Sequence, residues 1–248
     1  MRRILLTLEY DGTRFAGWQR QENGLAVQEV VERALHQATG KPVTITGASR
    51  TDAGVHALGQ RAHFDTDSGI PDKKWPFVLN TLLPGDIRAT DACQVPDSLH
   101  ARFSALGKEY EYRLFNRRHF SALRRHFCAF VPLPLNLDMM RQALEDLPGR
   151  HDFKAFQAAG GSAKTTVRTL HAARLSREDD EIALRLSGDA FLYNMVRIIA
   201  GTLVEVGLGK RKPDAFAQAI RTGDRLALGS TAPACGLTLI RVDYEGLP

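Results

Sequence analysis

The order in which strands and helices follow one another is the feature of this sequence that most constrains its fold. Alternating apolar residues predict a strand over residues 4–10 that closes at the turn Asp11–Gly12, and apolar residues at helical spacing predict a helix over 27–38 that ends at Gly40. Short strands around 43–46 and 58–64, a helix around 75–83 and a strand from about residue 87 follow. The order is strand, helix, strand, strand, helix, strand.

The second part of the chain predicts the same order again, without obvious sequence similarity to the first. A strand over 110–114 precedes a helix over 137–147, a hairpin around 178–180, a long apolar helix over 191–206 and a last strand over 237–242. Two successive βαββαβ units are typical of the ferredoxin-like fold, an antiparallel sheet with helices on one face.

We therefore predict an α+β protein made of two ferredoxin-like domains. The first is expected at residues 1–105 and the second at residues 106–248, with joined antiparallel sheets and an active-site cleft between them. A chain of 248 residues lies at the upper end of what one hydrophobic core serves, which agrees with two domains.

The charge of the chain is distributed unevenly. It carries 33 Lys and Arg against 28 Asp and Glu, a net charge of +5. Basic and acidic side chains are equal in number over residues 1–105, so the whole excess lies in residues 106–248. This mild excess is compatible with a polyanionic partner.

The sequence contains no pattern for a disulfide framework, a metal site or a membrane anchor. Its 3 cysteines are an odd number without a CxxC pair, and His56 and His63 lack the neighbours that a zinc site needs. The apolar run over 4–8 is too short for a signal peptide, and no other stretch is long enough to span a bilayer. We expect a cytoplasmic protein without membrane contact.

The segment Gly47–Ala57 is the first candidate for chemistry. Glycines near both ends let the backbone turn tightly between two short strands and present Asp52 at a loop tip. The neighbouring Arg50 would hold the Asp52 carboxylate ionised, which suits a nucleophile or a base. The pattern alone fits an ordinary turn with a solvated arginine more often than a catalytic loop.

Two further candidates lie in the second domain. Tyr110 and Tyr112 alternate along one strand and point to the same sheet face, where aromatic rings either stack bases or pack in a core. Arg197 lies in the apolar helix and needs a partner, because an unpaired buried charge is costly. Either Asp189 or a catalytic aspartate could be the ion-pair partner of Arg197.

A basic stretch interleaved with phenylalanines is the last candidate. It suits contact with a phosphate backbone, and a solvated loop fits equally well. Its basic residues are Arg113, Arg117, Arg118, His119, Arg124, Arg125 and His126, and its aromatic residues are Phe115, Phe120 and Phe127.

Several blocks, in order along the chain, resemble the bacterial tRNA pseudouridine synthase A family. The resemblance extends over essentially all 248 residues, and the run Arg50–His56 is by itself specific to that family. The blocks are Glu9–Gly12 with Phe15–Gln21, Gly47–Ala57, Lys108–Tyr112, His151–Phe153 with Phe156, Phe191–Arg197, and Ala232–Leu237.

The resemblance implies an isomerase that converts uridine to pseudouridine at positions 38, 39 and 40 in the anticodon arm of tRNAs, without a cofactor or a metal. It also implies a homodimer in which one tRNA spans both subunits.

The resemblance also assigns roles to single residues. Asp52 matches the catalytic aspartate, a nucleophile or a base, and Arg197 matches the arginine that pairs with it. Tyr110 matches the tyrosine that packs on the target base, and proton transfer is a further role open to it. Arg50 matches the arginine that fills the space left by the flipped nucleotide. The basic second domain, with Arg113, Arg117 and Arg118, is expected to contact phosphates.

Two rival classes of protein are open on the residues alone. A non-catalytic RNA-binding module on the same sheet would carry the motif Lys/Arg-Gly-Phe-Gly-Phe-Val-x-Phe, which the sequence lacks. A hydrolase of N-glycosidic bonds would need a second acid, whereas Arg50 neighbours Asp52. The RNA-binding module is the main alternative.

Overall fold

The structure, a computed structural model, describes residues 1–247. In chain order its strands and helices are β1 Arg2–Tyr10, α1 Val27–Thr39, β2 Thr46–Gly47, β3 His56–Thr66, α2 Trp75–Asn80, β4 Ile87–Val95, β5 Gly107–Asn116, β6 Ala129–Val131, α3 Leu137–Leu144, β7 Gly149–Asp152, β8 Val167–Glu178, β9 Glu181–Gly188, α4 Met195–Gly207, α5 Ala215–Thr222 and β10 Leu237–Asp243. Helices and mostly antiparallel strands confirm the predicted α+β class.

The chain forms two compact units. The first comprises residues 1–106 and the terminal segment from Thr238, and the second comprises Gly107–Leu237. The terminal segment joins the first unit because Thr238 and Leu239 of β10 pair in parallel with His56 and Ala57 of β3. The sequence pattern predicts this strand within the domain at 106–248, because pairing between distant strands leaves no local signal.

The first unit is a sheet in the order β4-β1-β3, with β2 also paired to β3. Its central strand β1 is buried on both faces, and Ile4, Leu5 and Leu6 have no exposed surface. Helix α1 ends where the sequence predicts, because Gly40 adopts a left-handed backbone with φ 72° and donates its N–H to the His36 carbonyl oxygen over 2.8 Å.

The second unit is a sheet in the order β5-β9-β8-β7, with β6 added in parallel to β5. The predicted hairpin is confirmed as β8 and β9, which pair from Leu170 opposite Gly188 to Glu178 opposite Glu181. Helix α4 contributes much of the core, with Met195, Ile198 and Leu203 fully buried. These side chains recur at helical spacing, as the sequence pattern requires.

Several elements are shorter than the sequence pattern predicts. Helix α2 ends at Asn80 instead of near residue 83, and helix α3 ends at Leu144 instead of near residue 147. Strand β2 covers only Thr46–Gly47, whereas a strand over 43–46 is predicted. The long apolar helix begins at Met195 instead of near Phe191, because Asn194 adopts a left-handed backbone with φ 61°. A right-handed helix cannot continue through such a residue, so the first part of the apolar run is a turn.

Candidate active site

The loop between β2 and β3 carries Asp52, and β3 holds the start of this loop. The Ala48 N–H donates to the Arg61 carbonyl oxygen over 2.7 Å. The fully buried Gln60 side chain binds the Ser49 backbone in both directions: its Nε2 donates to the carbonyl oxygen over 2.7 Å, and its Oε1 accepts from the N–H over 3.1 Å. One buried amide thus satisfies the backbone where the loop begins.

Residues at and after the end of β1 hold the middle and end of the same loop. The Trp18 N–H donates to the Thr51 carbonyl oxygen over 3.0 Å, and the Gly54 N–H donates to the Phe15 carbonyl oxygen over 3.2 Å. The Thr51 hydroxyl lies 2.8 Å from the Tyr10 hydroxyl in a buried hydrogen bond. The backbone is therefore fixed on both sides of the candidate aspartate.

Asp52 and Arg50 differ in their exposure. Asp52 is half-buried, and its carbonyl oxygen accepts from the Val55 N–H over 3.1 Å, which closes a turn. Arg50 is exposed and makes no ion pair with any residue from 1 to 247. A half-buried carboxylate on a fixed turn can act as a nucleophile or a base, and the arginine two positions away is available to an anionic ligand.

Tyr110 and Tyr112 lie in β5 of the second unit and have different surroundings. Tyr112 is fully buried, its hydroxyl donates to the Pro233 carbonyl oxygen over 2.8 Å, and burial raises its pKa well above the ordinary value. Tyr110 is 8% exposed, and its ring meets the Phe191 ring edge-on, with 5.1 Å between centroids. Tyr112 is therefore a core residue, and a second aromatic ring packs against Tyr110.

Two groups of the second unit orient the guanidinium of Arg197. Its Nε donates to the Ala232 carbonyl oxygen over 2.8 Å, and its Nη1 donates to Asn194 Oδ1 over 2.7 Å. Asp189, one of the partners that the sequence suggested, accepts backbone N–H groups of Thr169 and of its own successor in the chain instead. Asp189 is therefore not the partner of Arg197, and the pairing of Arg197 with a catalytic aspartate stays a prediction.

Acidic residues of the same unit neutralise part of the basic stretch. Arg113 Nε lies 2.6 Å from the buried Glu111, and Arg117 Nη1 lies 3.4 Å from Asp180. Burial raises the pKa of Glu111, but hydrogen bonds from two arginines outweigh burial and hold this pKa below its ordinary value. Arg118 is exposed and has no ion pair in the described part of the chain. Of the three arginines expected to meet phosphates, it is the one left unneutralised.

Comparison with known proteins shows the family of the chain. A family model described as tRNA pseudouridine synthase matches residues 7–104 and 143–245. The chain is 48% identical to the tRNA pseudouridine synthase A of Ruminiclostridium cellulolyticum and to that of Acetivibrio thermocellus, and 46% identical to that of Thermoanaerobacter sp. (strain X514). Each match covers 98% of this chain and 100% of the relative. The chain belongs to the tRNA pseudouridine synthase A family.

Membership of the tRNA pseudouridine synthase A family confirms the resemblance and the isomerase class that it implies. The matched segments of the family model contain both Asp52 and Arg197, whereas Tyr110 and the basic stretch fall between the two segments. The full-length relatives span that region as well.

The sequence patterns do not reveal three residues that position the candidate residues. Gly17 has a φ of +95° and lies against the Asp52 loop, Gln60 is a buried amide within a strand, and Asn194 fixes both the start of α4 and the direction of Arg197. Of these three residues, only Gln60 leaves a signal in the sequence, because it is a polar residue at a buried position of the alternating strand β3.

Metal and membrane sites give no further candidates. Within residues 1–247, no group of three or more His, Cys, Asp or Glu side chains could hold a metal ion, and no helix is both long enough and apolar enough to cross a membrane. Cys93, Cys128 and Cys235 are free thiols.

Proposed function

We propose that this protein isomerises uridine to pseudouridine at positions 38, 39 and 40 in the anticodon arm of tRNAs. The observation that carries the proposal is the Asp52 loop. Its run Arg50–His56 is by itself specific to the family that the sequence resembles, and hydrogen bonds from two directions fix its backbone. The names of the relatives, each a tRNA pseudouridine synthase A, support the substrate.

Asp52 is the catalytic residue in this proposal. The C1′–N1 bond of the uridine breaks, the uracil turns, a C1′–C5 bond forms, and the proton at C5 leaves while N1 gains one. Asp52 acts either as a nucleophile on the sugar or the uracil, or as a base on the sugar while a glycal forms. Both routes need an ionised carboxylate, and the resemblance assigns Arg197 as the cation that pairs with Asp52 and favours its ionised form.

Arg50 and Tyr110 bind the nucleotide that leaves the stack. A base inside a stem cannot be reached, so the enzyme must extrude it, which costs a few kcal/mol or so. Arg50, exposed and without an ion pair in the described part of the chain, enters the space that is left. Tyr110 packs on the uracil with Phe191 behind it. Tyr110 is also a candidate for removing the C5 proton, although a phenol with an ordinary pKa of about 10 is a weak base.

The two predicted domains have separate tasks in this proposal. The domain at 1–105 carries the catalytic loop, and the domain at 106–248, which holds the whole excess charge, contacts tRNA phosphates, with Arg118 as the strongest single candidate. A homodimer binds one tRNA across both subunits. No cofactor takes part, and a substrate of this kind places the enzyme in the cytoplasm.

The experiment that tests this function maps the modified positions directly. An unmodified tRNA transcript with uridines at 38, 39 and 40 is incubated with the protein, treated with a carbodiimide that marks pseudouridine, and read by primer extension. New stops at these positions in RNA of unchanged length are the expected result. Strand cleavage by aniline would indicate an abasic product and a hydrolase. Tight binding of the tRNA with every uridine unchanged would contradict the proposed reaction and support the alternative, a non-catalytic RNA-binding module.

A further inference from the structure

A tight turn at residues 100–104 of the first unit presents an exposed aromatic ring. His100 Nδ1 accepts from the Arg102 N–H over 3.1 Å and from the Phe103 N–H over 3.3 Å. The His100 N–H donates to Ser104 Oγ over 2.9 Å, and the Ser104 N–H donates back to the His100 carbonyl oxygen over 2.9 Å. Hydrogen bonds within the turn therefore fix its backbone.

Further hydrogen bonds attach this turn to the rest of the unit. The N–H of the fully buried Ala101 donates to His63 Nδ1 over 3.1 Å, and its carbonyl oxygen accepts from the Tyr244 hydroxyl. Burial, and secondarily the Arg3 cation, lowers the pKa of His63 to about 4. The imidazole is therefore neutral at pH 7, and its Nδ1 remains an acceptor for the turn.

Phe103 is exposed although its backbone is fixed. Its side chain is 77% exposed, the His100 ring lies at 4.4 Å between centroids with an interplanar angle of 30°, and the Arg102 guanidinium lies 5.7 Å from the ring centroid. A single exposed phenylalanine is common on proteins. Phe103 differs from an ordinary exposed phenylalanine because its neighbours already order the ring. Such a ring loses little conformational entropy when a flat ligand stacks on it.

The charge beside the ring is positive. Burial first, and the positive charge of Arg50 second, lower the pKa of Arg102. Neither arginine makes an ion pair with residues 1–247. Proteins bind single-stranded nucleic acids with this combination of an exposed aromatic ring and nearby cations, because bases stack on the ring and the cations contact the phosphates.

We propose that Phe103 and Arg102 form a stacking site for a tRNA nucleotide that neighbours the uridine under reaction. This inference rests on the function proposed above. The base of that nucleotide stacks on Phe103, and Arg102 meets its phosphate. Arg50 occupies the gap left by the extruded uridine. Phe103 touches none of the reacting atoms, so it is a positioning residue that holds the strand while the target leaves the stack.

A second copy of the chain is the other possible occupant of the exposed ring. Two-fold symmetric contacts place the same patch of both copies together, and would bring the Arg102 and Arg50 cations of one copy near those of the other, which is repulsive. The two unpaired cations therefore favour an anionic partner.

The test compares substitutions at Phe103 with a matched control in the same unit. Phe77 on α2 is likewise exposed, at 70%, with the Lys74 ammonium 5.4 Å from its ring centroid. Dissociation constants for a tRNA transcript and single-turnover rates are measured for wild type, F103A, F103L, F103Y and F77A. Loss of one stacked base weakens binding by about fivefold or more. We expect that loss for F103A and F103L, and wild-type affinity for F103Y and F77A.

The possible outcomes separate this inference from the proposed function. If the wild type forms pseudouridine and F103A binds tRNA as tightly as F77A does, the stacking site is wrong and the function stands. If the wild type does not act on tRNA, both fail. If F103A dissociates a dimer and its tRNA affinity per subunit is unchanged, the ring joins two copies and the stacking site is wrong. Melting temperatures within a few degrees of the wild type are expected for every variant, because both rings are exposed.

Discussion

The α-carbon of Gly17 lies directly against the backbone that carries Asp52. A Cβ at position 17 would stand 2.5 Å from the Thr51 carbonyl oxygen and 3.0 Å from the carbonyl carbon of Asp52. The backbone of Gly17 is also left-handed, with a φ of +95°. The position of the candidate catalytic loop therefore depends on the absence of a side chain in a segment far from it in sequence.

Gly17→Ala is expected to displace the Asp52 loop and to lower the rate of pseudouridine formation by about 100-fold, because small errors in position are costly in catalysis. The free energy of unfolding should fall by more than the roughly 1–2 kcal/mol that a left-handed alanine costs. The control is Gly40→Ala. Gly40 has a similar φ of +72° but nothing within 4 Å of a Cβ, so stability should fall and the rate per folded molecule should stay unchanged. Equal rates in the two variants would contradict this account.

Asn194 is expected to act on catalysis through Arg197. Asn194→Gly keeps the left-handed backbone and removes the Oδ1 that accepts from Arg197, so the melting temperature should hardly change while the single-turnover rate falls about tenfold. Asn194→Ala should lose the same rate and also about 1 kcal/mol of stability. The affinity for tRNA should be unchanged in both. Full activity of Asn194→Gly would show that Oδ1 does not orient the arginine.

The two tyrosines of β5 are expected to respond in opposite ways to loss of the hydroxyl. Tyr112→Phe leaves the Pro233 carbonyl oxygen without its donor, so the free energy of unfolding should fall by about 1–2 kcal/mol with normal activity. Tyr110→Phe keeps the ring contact with Phe191, so the affinity for tRNA should be unchanged. Its single-turnover rate should fall by about 100-fold if the phenol takes part in proton transfer. An undiminished rate would restrict Tyr110 to packing on the base.

His63 is expected to make stability depend on pH below neutrality. Its folded pKa of about 4 lies below the ordinary value of 6.5, so between these values the unfolded chain binds a proton that the folded chain does not. Stability should therefore fall as the pH falls from about 6.5 towards 4. Urea unfolding at pH 7 and pH 5 should show about 1–2 kcal/mol more loss for the wild type than for His63→Gln. Parallel losses in both proteins would rule out this origin.

The sequence predicts those parts of the fold that local patterns determine. Apolar spacing and a glycine cap suffice for α1, since Gly40 needs only its own backbone to end the helix. The start of α4 is not predictable from apolar residues, because Phe191 and Leu192 continue the pattern while one left-handed residue, Asn194, interrupts the helix. The pairing of β10 with β3 depends on long-range contacts and has no local signal.

The residues of the candidate site also fall into those that local sequence patterns predict and those that they do not. A specific motif marks Asp52 and Arg50, and a lone charge in an apolar helix marks Arg197. The residues that hold them are missed because their role lies in contacts across the chain: Gly17 through a close approach, and Gln60 through hydrogen bonds to Ser49. The ion pair of Arg117 with Asp180 also forms only when the β8–β9 hairpin lies beside β5, whereas Glu111, the partner of Arg113, is only two residues away in the same strand.

The central claim is that the Asp52 carboxylate carries out the isomerisation of a tRNA uridine. It is tested most directly by tritium release from a tRNA transcript labelled at C5 of uridine, with wild type and Asp52→Asn compared at equal tRNA occupancy. The account predicts that the wild type releases tritium to water and that Asp52→Asn binds the tRNA but releases none. Release by Asp52→Asn at the wild-type rate would contradict the assignment of the carboxylate, and no release by either protein would contradict the proposed reaction itself.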